Sequence, residues 1–565
     1  MKNVQVAKIL REIADILEMR GVRFKPRAYR RAARSVESLS KPIEDAYAEG
    51  ALQELSGVGE SISEKIAEIL ETGSSKYYEK LKKEMPVDVE ALTSVEGIGP
   101  KTVKILYQEL KIRTLQDLER AARKHKIREI KGLGPKTEEN ILEHIGIAKR
   151  GKERMLLGYA LPIAEEIKER LREEAPVRRI EIAGSLRRMA ETIGDIDILI
   201  TSNLPREAAD FFTSMDGVRE VLEKGTTKWS VFLKNDMQVD LRILKEESYG
   251  SALMYFTGSK DHNIELRKVA MDKGYKLNEY GLFMGKDQIA GKTEEEVYRK
   301  LGVDFVPPEL RENRGEIEAA QRHTLPTSIG YDAIKGDLHI HTNWSDGEQS
   351  VEEMARTAEN LGYSYICISD HYGKMKIARS LNERQLRKQL KEIDRVNNKL
   401  DGIEILKGIE VDIASDGSLQ AEKKVLKELD WVVASVHSNL NQTEEEMTER
   451  FVAAMESGYV NVIGHPTGRK IGKKKPCQID MDRLFETSKN SRTYLEINSL
   501  PERLDLNDAH SKAASEAGCK LVINTDAHNK EHLEYMRLGI GVARRGWLEE
   551  KDVVNTSDLK DLMKS

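Results

Sequence analysis

Asp337-Leu338-His339-Ile340-His341 is a short strand-like run that alternates apolar residues with an acid and two histidines. The same association recurs downstream at Asp370-His371, Glu410-Val-Asp412, Val436-His437, Gly464-His465 and Asp526-Ala-His528. Eight of the 12 histidines follow Gly336, and six of them end a predicted strand beside an acid or another histidine. From Lys335 onward, short apolar strands near 337–341, 364–369, 403–412, 431–437, 460–464, 493–498 and 520–525 alternate with helical patterns. Alternation at this spacing predicts a (β/α) barrel with functional side chains at the C-terminal strand ends. A core role explains any single histidine. Nine His, Asp and Glu residues placed by one rule point instead to a multi-metal hydrolytic centre.

The remaining residues decide what such a centre acts on. At 565 residues the chain exceeds a single core, and 39% hydrophobic with 33% charged residues fits a soluble multidomain protein. No apolar run reaches the roughly 20 residues of a membrane span. Cys367, Cys477 and Cys519 are scattered and lack a Cys-x-x-Cys, which predicts a reducing cytoplasm. The N-terminus (Val6, Ile9, Leu10, Ile13, Ile16, Leu17) has the periodicity of an amphipathic helix and not of a signal peptide. Residues 1–150 hold 29 Lys/Arg against 24 Asp/Glu, so a formal net charge of −5 leaves −10 on the rest. Arg20, Arg23, Lys25, Arg27, Arg30, Arg31 and Arg34 crowd into fifteen residues without an acid. That run suits a phosphate-binding face.

Three turns share one pattern in this basic region: Gly57-Val-Gly59, Gly97-Ile-Gly99-Pro-Lys-Thr102 and Gly132-Leu-Gly134-Pro-Lys-Thr137. The glycines permit a tight turn, the apolar residue between them tucks into a helix pair, and the free amides face a phosphate. This resembles the helix-hairpin-helix motif of sequence-independent DNA binders. Lys65, six residues past Gly59, is a candidate Schiff-base nucleophile or a plain phosphate contact.

Between these regions, strand-like Arg179–Ala183 ends in Gly184-Ser185-Leu-Arg187-Arg188, and Asp195-Ile-Asp197-Ile-Leu-Ile200 follows. The i, i+2 spacing sets Asp195 and Asp197 on one strand face and Ile196, Ile198 and Ile200 on the other. Asp240 lies on a neighbouring strand, Val239–Ile243. Three clustered carboxylates repel one another, so they imply divalent cations. Gly184 and Ser185 admit a triphosphate, and Arg188 offers it a positive fork.

With Tyr255-Phe256-Thr257-Gly258-Ser259, Asn263 and Arg267, residues 1–315 resemble the family X, polymerase beta-like DNA polymerases. The resemblance implies a nucleotidyltransferase palm and thumb behind a helical helix-hairpin-helix region. It implies Mg²⁺ or Mn²⁺, two ions, on Asp195, Asp197 and Asp240, with Asp240 nearest the primer 3′-hydroxyl. Gly184, Ser185 and Arg188 would hold the triphosphate, Tyr255 and Phe256 crowd the ribose, and Gly258 and Asn263 meet the nucleotide. Arg267 and the hairpin glycines would contact DNA. Two positions depart from the family. Lys260 stands where polymerase beta has an acid, and Ser61 replaces a lysine of the lyase pocket, although Lys65 and Tyr29 match it.

His339, His341, Asp346, His371, Glu410, His437, His465, Asp526 and His528 resemble the ligand set of the PHP superfamily. This implies a distorted (β/α)7 PHP barrel holding up to three Mn²⁺, Zn²⁺ or Fe ions, with Asp337, Asp370 and Asp412 orienting the imidazoles. Arg469, with Lys473-Lys474-Lys475 nearby, is a candidate nucleic-acid backbone contact, although a solvated loop is the favoured expectation. Expected boundaries are an N-terminal helical domain at 1–85, fingers at 86–150, palm at 151–245, thumb at 246–315, linker at 316–334 and PHP domain at 335–565. The combination resembles the PHP-bearing family X polymerases of bacteria and archaea. It implies gap-filling synthesis on primer-template DNA from deoxynucleoside triphosphates, by a cytoplasmic monomer. A 3′→5′ exonuclease is also implied, with 3′-phosphatase and abasic-site endonuclease as further options. Two other readings stay open: a polymerase whose PHP domain is only a scaffold, and a protein that mainly binds and bridges DNA ends.

Overall fold

The computed structural model describes the chain except Met1, Arg23, 38–42, Glu49, Ser56, Ser94, Glu96, Gly97, Lys131, Asn140, 143–153, 374–377 and Ser565. It divides into two compact units, residues 1–154 with Asn313–Gly315, and Met155–Glu312 with Glu316–Ser565.

The first unit is helical and is built around Lys2–Met19, whose Leu10, Ile13 and Leu17 are fully buried, as the 3.6-residue periodicity requires. The middle residues of its three glycine turns are placed alike. Val58, Ile98 and Leu133 are buried, and their amides donate to Leu55, Val95 and Ile130 at 2.9, 3.0 and 2.9 Å. Helices then begin on Gly59 and Gly99, and residues 135–139 are helical after Gly134. A Cβ on Gly59, Gly99 or Gly134 would meet nothing within 4 Å, so the space beside each of these glycines is open. Gly97 lies outside the described residues.

In the second unit the palm is a five-stranded sheet: β1 (Arg179–Ile182), β2 (Asp195–Thr201), β3 (Val218–Lys224), β4 (Lys228–Leu233) and β5 (Gln238–Leu244), in the order β1-β2-β5-β4-β3. Ile196, Ile198 and Ile200 enter the core shared with helices Leu157–Glu174 and Pro205–Ser214, as the alternation predicts. The thumb core gathers around Val297, Tyr298 and Leu301. Residues 316–334 were expected to be a linker, but helix Glu316–Arg322 sends Ile317 and Ala320 into that core. Its Glu316 carboxylate lies 2.7 Å from His262 Nδ1, both fully buried, so proline and charge content misled here.

Seven parallel strands follow in sequence order: β6 (Gly336–Ile340), β7 (Tyr365–Ile368), β8 (Glu404–Asp412), β9 (Trp431–Ser435), β10 (Val462–Ile463), β11 (Tyr494–Asn498) and β12 (Leu521–Asn524). A parallel bridge between Ile340 and Ala527 draws the first strand toward the last and nearly closes the barrel. Residues β6, β7, β9, β11 and β12 are buried throughout, as strands covered on both faces must be.

Palm and barrel pack directly against each other. A Cβ on Gly158 would fall 2.5 Å from Pro501 Cγ, and one on Gly541 would fall 2.7 Å from Met189 Cε. Arg469 was expected in a solvated loop. It is instead largely buried, pairs with palm Glu191, and donates to the carbonyls of Arg503 and Leu504. Among the described residues no helix is long and apolar enough to cross a membrane. Gly158→Val is expected to destabilise the protein by about 1–3 kcal/mol through overpacking, whereas Gly59→Ala, on an open turn, leaves stability near wild type. Thermal denaturation of both variants checks this contrast.

Candidate functional site

In the palm, β2 runs parallel to β5 with Asp197 paired in register to Asp240, so the two carboxylates stand side by side. Burial pushes the Asp197 carboxyl up to about 7, and the charges of Asp195 and Asp240 add to the rise. Gly184, at φ +64°, lies directly over this group: a Cβ there would fall 2.5 Å from Asp197 Oδ2. Only glycine suits that left-handed backbone and that close approach. Asp240 is held by Gln238 Nε2 at 2.9 Å and Lys228 Nζ at 2.9 Å. Lys228 and Gln238 are absent from the sequence reading, because no motif marks them and only strand register brings them to Asp240. Among the described residues, the three palm carboxylates do not form so tight a set as the barrel residues do.

Ser185 is the second residue of the short helix Gly184–Arg187. Arg188 Nη1 donates to the Thr257 carbonyl at 2.7 Å and lies against Gly258, where a Cβ would approach it to 3.3 Å. Tyr255 and Phe256 end helix Tyr249–Thr257 edge to face, 5.1 Å between centroids, with the Arg242 guanidinium 3.9 Å above Phe256. Lys260 is exposed in the first turn of helix Lys260–Asp272. On that helix Asn263 Nδ2 donates to the Tyr255 carbonyl at 2.7 Å, and Arg267 Nε donates to the Asn263 carbonyl at 3.0 Å. The segments expected to select the nucleotide are therefore tied to one another. In the helical unit, Lys65 Nζ donates to Ser61 Oγ at 2.9 Å and to the Ser61 carbonyl at 2.7 Å, and lies 5.0 Å from the Tyr77 ring centroid. Tyr29 is buried, and burial, with Tyr77 nearby, pushes its hydroxyl up to about 12.

The barrel mouth brings the nine predicted residues together. His341, Asp346, His371 and His528 offer ligand atoms all within 4.8 Å of one another, as do His339, His341 and Asp526, and likewise His371, Glu410 and His437. His465 Nε2 stands 3.2 Å from Glu410 Oε1. Two of the nine, His465 (φ 31°) and Asp526 (φ 54°), hold left-handed backbone. That conformation costs a non-glycine residue on the order of 1–3 kcal/mol and concentrates at functional sites.

The donor chemistry fits divalent cations. Among buried side-chain atoms without a hydrogen-bond partner are His339 Nε2, both ring nitrogens of His341, His371 Nδ1, His437 Nδ1, His465 Nδ1 and Glu410 Oε1. His371 Nδ1 comes within 2.8 Å of Glu410 Oε2 without hydrogen-bond geometry, the crowding of groups aimed at a common centre. Buried polar groups without partners are rare, and a cation would satisfy them together. Burial pushes His341 down to about 3 and His465 down to about 4, keeping their lone pairs available. Burial acts the same way on His437, but Glu410 overrides it and raises this imidazole to about 9.

The supporting shell differs from expectation. Asp412 does lie 3.4 Å from His437 Nδ1. Asp337 instead accepts from Thr525 and the His339 amide, and Asp370 from Thr342, Ser345 and Gln389. Among the described residues both acids spend their hydrogen bonds on hydroxyls, backbone amides and the Gln389 side chain, and none of those bonds goes to an imidazole nitrogen. The carboxylate that orients a histidine is Glu496 on β11, which the sequence reading missed. It is fully buried and accepts from His339 Nδ1 at 2.7 Å, the His465 amide at 2.6 Å and Asn524 Nδ2 at 3.0 Å. Burial alone would raise its pKa, yet His339 holds it below the ordinary carboxylate range. That bond fixes the tautomer and leaves Nε2 of His339 free to coordinate. The signal was present as an acid inside the apolar run Leu495-Glu496-Ile497. Asn498 adds 3.0 Å and 3.1 Å bonds to Asp526 and Glu496.

A nucleotidyltransferase palm beside a barrel lined with nine imidazoles and carboxylates defines a metal-dependent enzyme with two centres. Four stretches match known families: a helix-hairpin-helix domain over 1–75, a SAM-like helix-hairpin-helix tandem over 89–146, the DNA polymerase beta thumb over 252–312 and the PHP domain over 337–500. Bacillus subtilis (strain 168) has a protein named DNA polymerase/3′-5′ exonuclease PolX that is 38% identical over 567 residues, covering 100% of this chain and 99% of that protein. Rattus norvegicus DNA polymerase lambda is 24% identical over 55% of this chain and 56% of its own length. A protein of Thermoanaerobacter sp. (strain X514) named "Probable phosphatase" is 31% identical over 39% of this chain and 89% of its own length. The chain belongs to the DNA polymerase X family, in the branch that carries a C-terminal PHP domain.

Glu496→Ala is expected to weaken cation binding at the barrel by about 10–100-fold, because His339 loses its orienting partner; metal titration followed by elemental analysis measures this. At the palm, a raised Asp197 pKa means that a proton and a cation compete for one carboxylate. Affinity for Mg²⁺ should fall by up to about tenfold per pH unit below 7. Calorimetric titration at pH 6 and 8 tests the dependence, which Asp197→Asn should lose.

Proposed function

We propose that the chain is a gap-filling DNA polymerase that trims the same primer ends with a 3′→5′ exonuclease in its PHP barrel. The observation that carries this reading is the pairing, in one chain, of the Asp197–Asp240 register with nine converging barrel ligands. Full-length similarity to a protein named DNA polymerase/3′-5′ exonuclease supports it. The likeness of the barrel region to a named phosphatase supports 3′-phosphomonoester cleavage as an additional reaction.

When bound, Mg²⁺ or Mn²⁺ at the palm and Mn²⁺, Zn²⁺ or Fe at the barrel supply Lewis-acid charge that screens phosphate oxygens and eases deprotonation of the attacking hydroxyl or water. Asp195, Asp197 and Asp240 hold the palm ions, with Asp240 kept toward the primer terminus by Lys228 and Gln238. Gly184 lets the backbone approach the triphosphate, Ser185 hydrogen-bonds it, and Arg188 neutralises charge building on the leaving pyrophosphate. Tyr255 and Phe256 wall the sugar side, and Gly258, Lys260 and Asn263 complete the nucleotide pocket. In the barrel, Glu496 holds the His339 ring so that a scissile phosphate meets a preorganised wall of imidazoles. The three glycine turns, with helices starting at Gly59 and Gly99, and Arg267 grip DNA phosphates without reading sequence. The substrates are primer-template or gapped DNA and deoxynucleoside triphosphates, and a cytoplasmic monomer suits the three unpaired cysteines.

A primer-extension assay on a gap with a 5′-phosphate, run with Mg²⁺ and with Mn²⁺, tests the assignment. Asp240→Ala is expected to abolish extension and keep 3′ digestion, and His341→Ala to do the reverse. Loss of both reactions from either substitution, in a folded protein, rules out two independent centres.

A further inference from the structure

The palm–barrel junction contains an alternating chain of four buried charges. Arg188 Nε donates to Glu312 Oε1 at 2.9 Å. The same oxygen accepts from Arg545 Nη1 at 2.8 Å, and Arg545 pairs with Asp508 at 2.9 Å through Nη2. Arg545 Nη1 also donates to the backbone carbonyl of Arg188 at 2.8 Å. Arg545 and Asp508 belong to the barrel half of the chain, Arg188 to the palm, and Glu312 to the end of the thumb. Their side chains are 8%, 11%, 14% and 19% exposed, so solvent screens them little.

Arg545 is the last residue of helix Met536–Arg545, whose position is fixed from both sides. A Cβ on Gly539 would fall 2.1 Å from Ser499 Oγ and 2.5 Å from Ile523 Cγ2 of the barrel, and Gly541 meets palm Met189. Arg544 adds a 2.7 Å bond to Glu309 and a 2.6 Å bond to the Ile329 carbonyl. Among the described residues, Arg545 alone bonds both the Glu312 carboxylate and the Arg188 backbone carbonyl through a side chain. Burial works against an ionised Glu312, yet Arg545 and Arg188 keep its carboxyl below the ordinary range.

We propose that Arg545 and Glu312 are positioning residues for polymerisation: they set both the orientation and the usable charge of Arg188. Glu312 locks one edge of the Arg188 guanidinium while the Thr257 carbonyl takes Nη1, which limits the side chain to one rotamer. Arg545, backed by Asp508, draws part of the Glu312 charge to itself. Without Arg545 the carboxylate would commit wholly to Arg188 and compete with an incoming triphosphate. The PHP half thereby tunes nucleotide binding at a site it does not line. The inference rests on the reading of Arg188 as a triphosphate-binding residue.

The test measures steady-state incorporation of one nucleotide by the full chain, with 3′ digestion and thermal denaturation as controls. Arg188→Ala examines the underlying reading: a KM for the nucleotide equal to wild type sinks that reading. Given a raised KM there, Arg545→Met is expected to raise KM by about tenfold while kcat and 3′ digestion stay near wild type. Arg545→Lys, which keeps the charge but lacks the fork, should give an intermediate rise and carries the test if the methionine variant does not fold. A wild-type KM in the variant that folds, or an equal loss of extension and digestion, overturns the proposal, since the latter marks a purely structural role.

Discussion

Closure of the barrel is the constraint on which the hydrolytic centre depends. His339 lies on the first strand and His341 directly after it, Asp526 and His528 follow the last, and the Ile340–Ala527 bridge brings the two strand ends together. Parallel pairing then places every strand's C-terminal end at one mouth. Within that mouth six imidazoles and three carboxylates are crowded at distances that neutral packing would not choose. The apolar strands supply the stability that such a cluster consumes.

The palm solves a related problem by a different route. Its sheet is open, so strand register substitutes for closure, and Asp197 finds Asp240 because β2 and β5 are parallel neighbours. Repulsion among the carboxylates is moderated by Lys228, and proximity is enforced by glycine at position 184, where any side chain would displace Asp197. Both centres are thus built from strands that are unremarkable in composition apart from the residues at their ends.

Much of this was legible in the sequence, because periodicity and residue chemistry are local properties. The alternation at Asp195-Ile-Asp197, the three glycine turns and the nine His, Asp and Glu residues of the barrel mouth are each marked by short patterns in the sequence. What stayed hidden is non-local. Lys228 reaches Asp240 only through strand pairing, and Glu496 looks like one more acid until its strand is seen to be buried. Arg469 sits in a stretch rich in lysine, and composition argued for solvent where tertiary contact with Glu191 won. The same failure made a linker of residues 316–334, whose helix is held by a buried His262–Glu316 pair that no window of sequence contains.

Gly158 against Pro501, Gly541 against Met189 and Arg469 against Glu191 also bear on how such a chain can change over generations. A junction where a single added methyl collides cannot be inherited one half at a time. Recombination that exchanged the barrel alone would present a foreign surface to a palm already shaped for its own. The two catalytic halves are therefore expected to diverge as a matched pair, with compensating changes on either side of the seam.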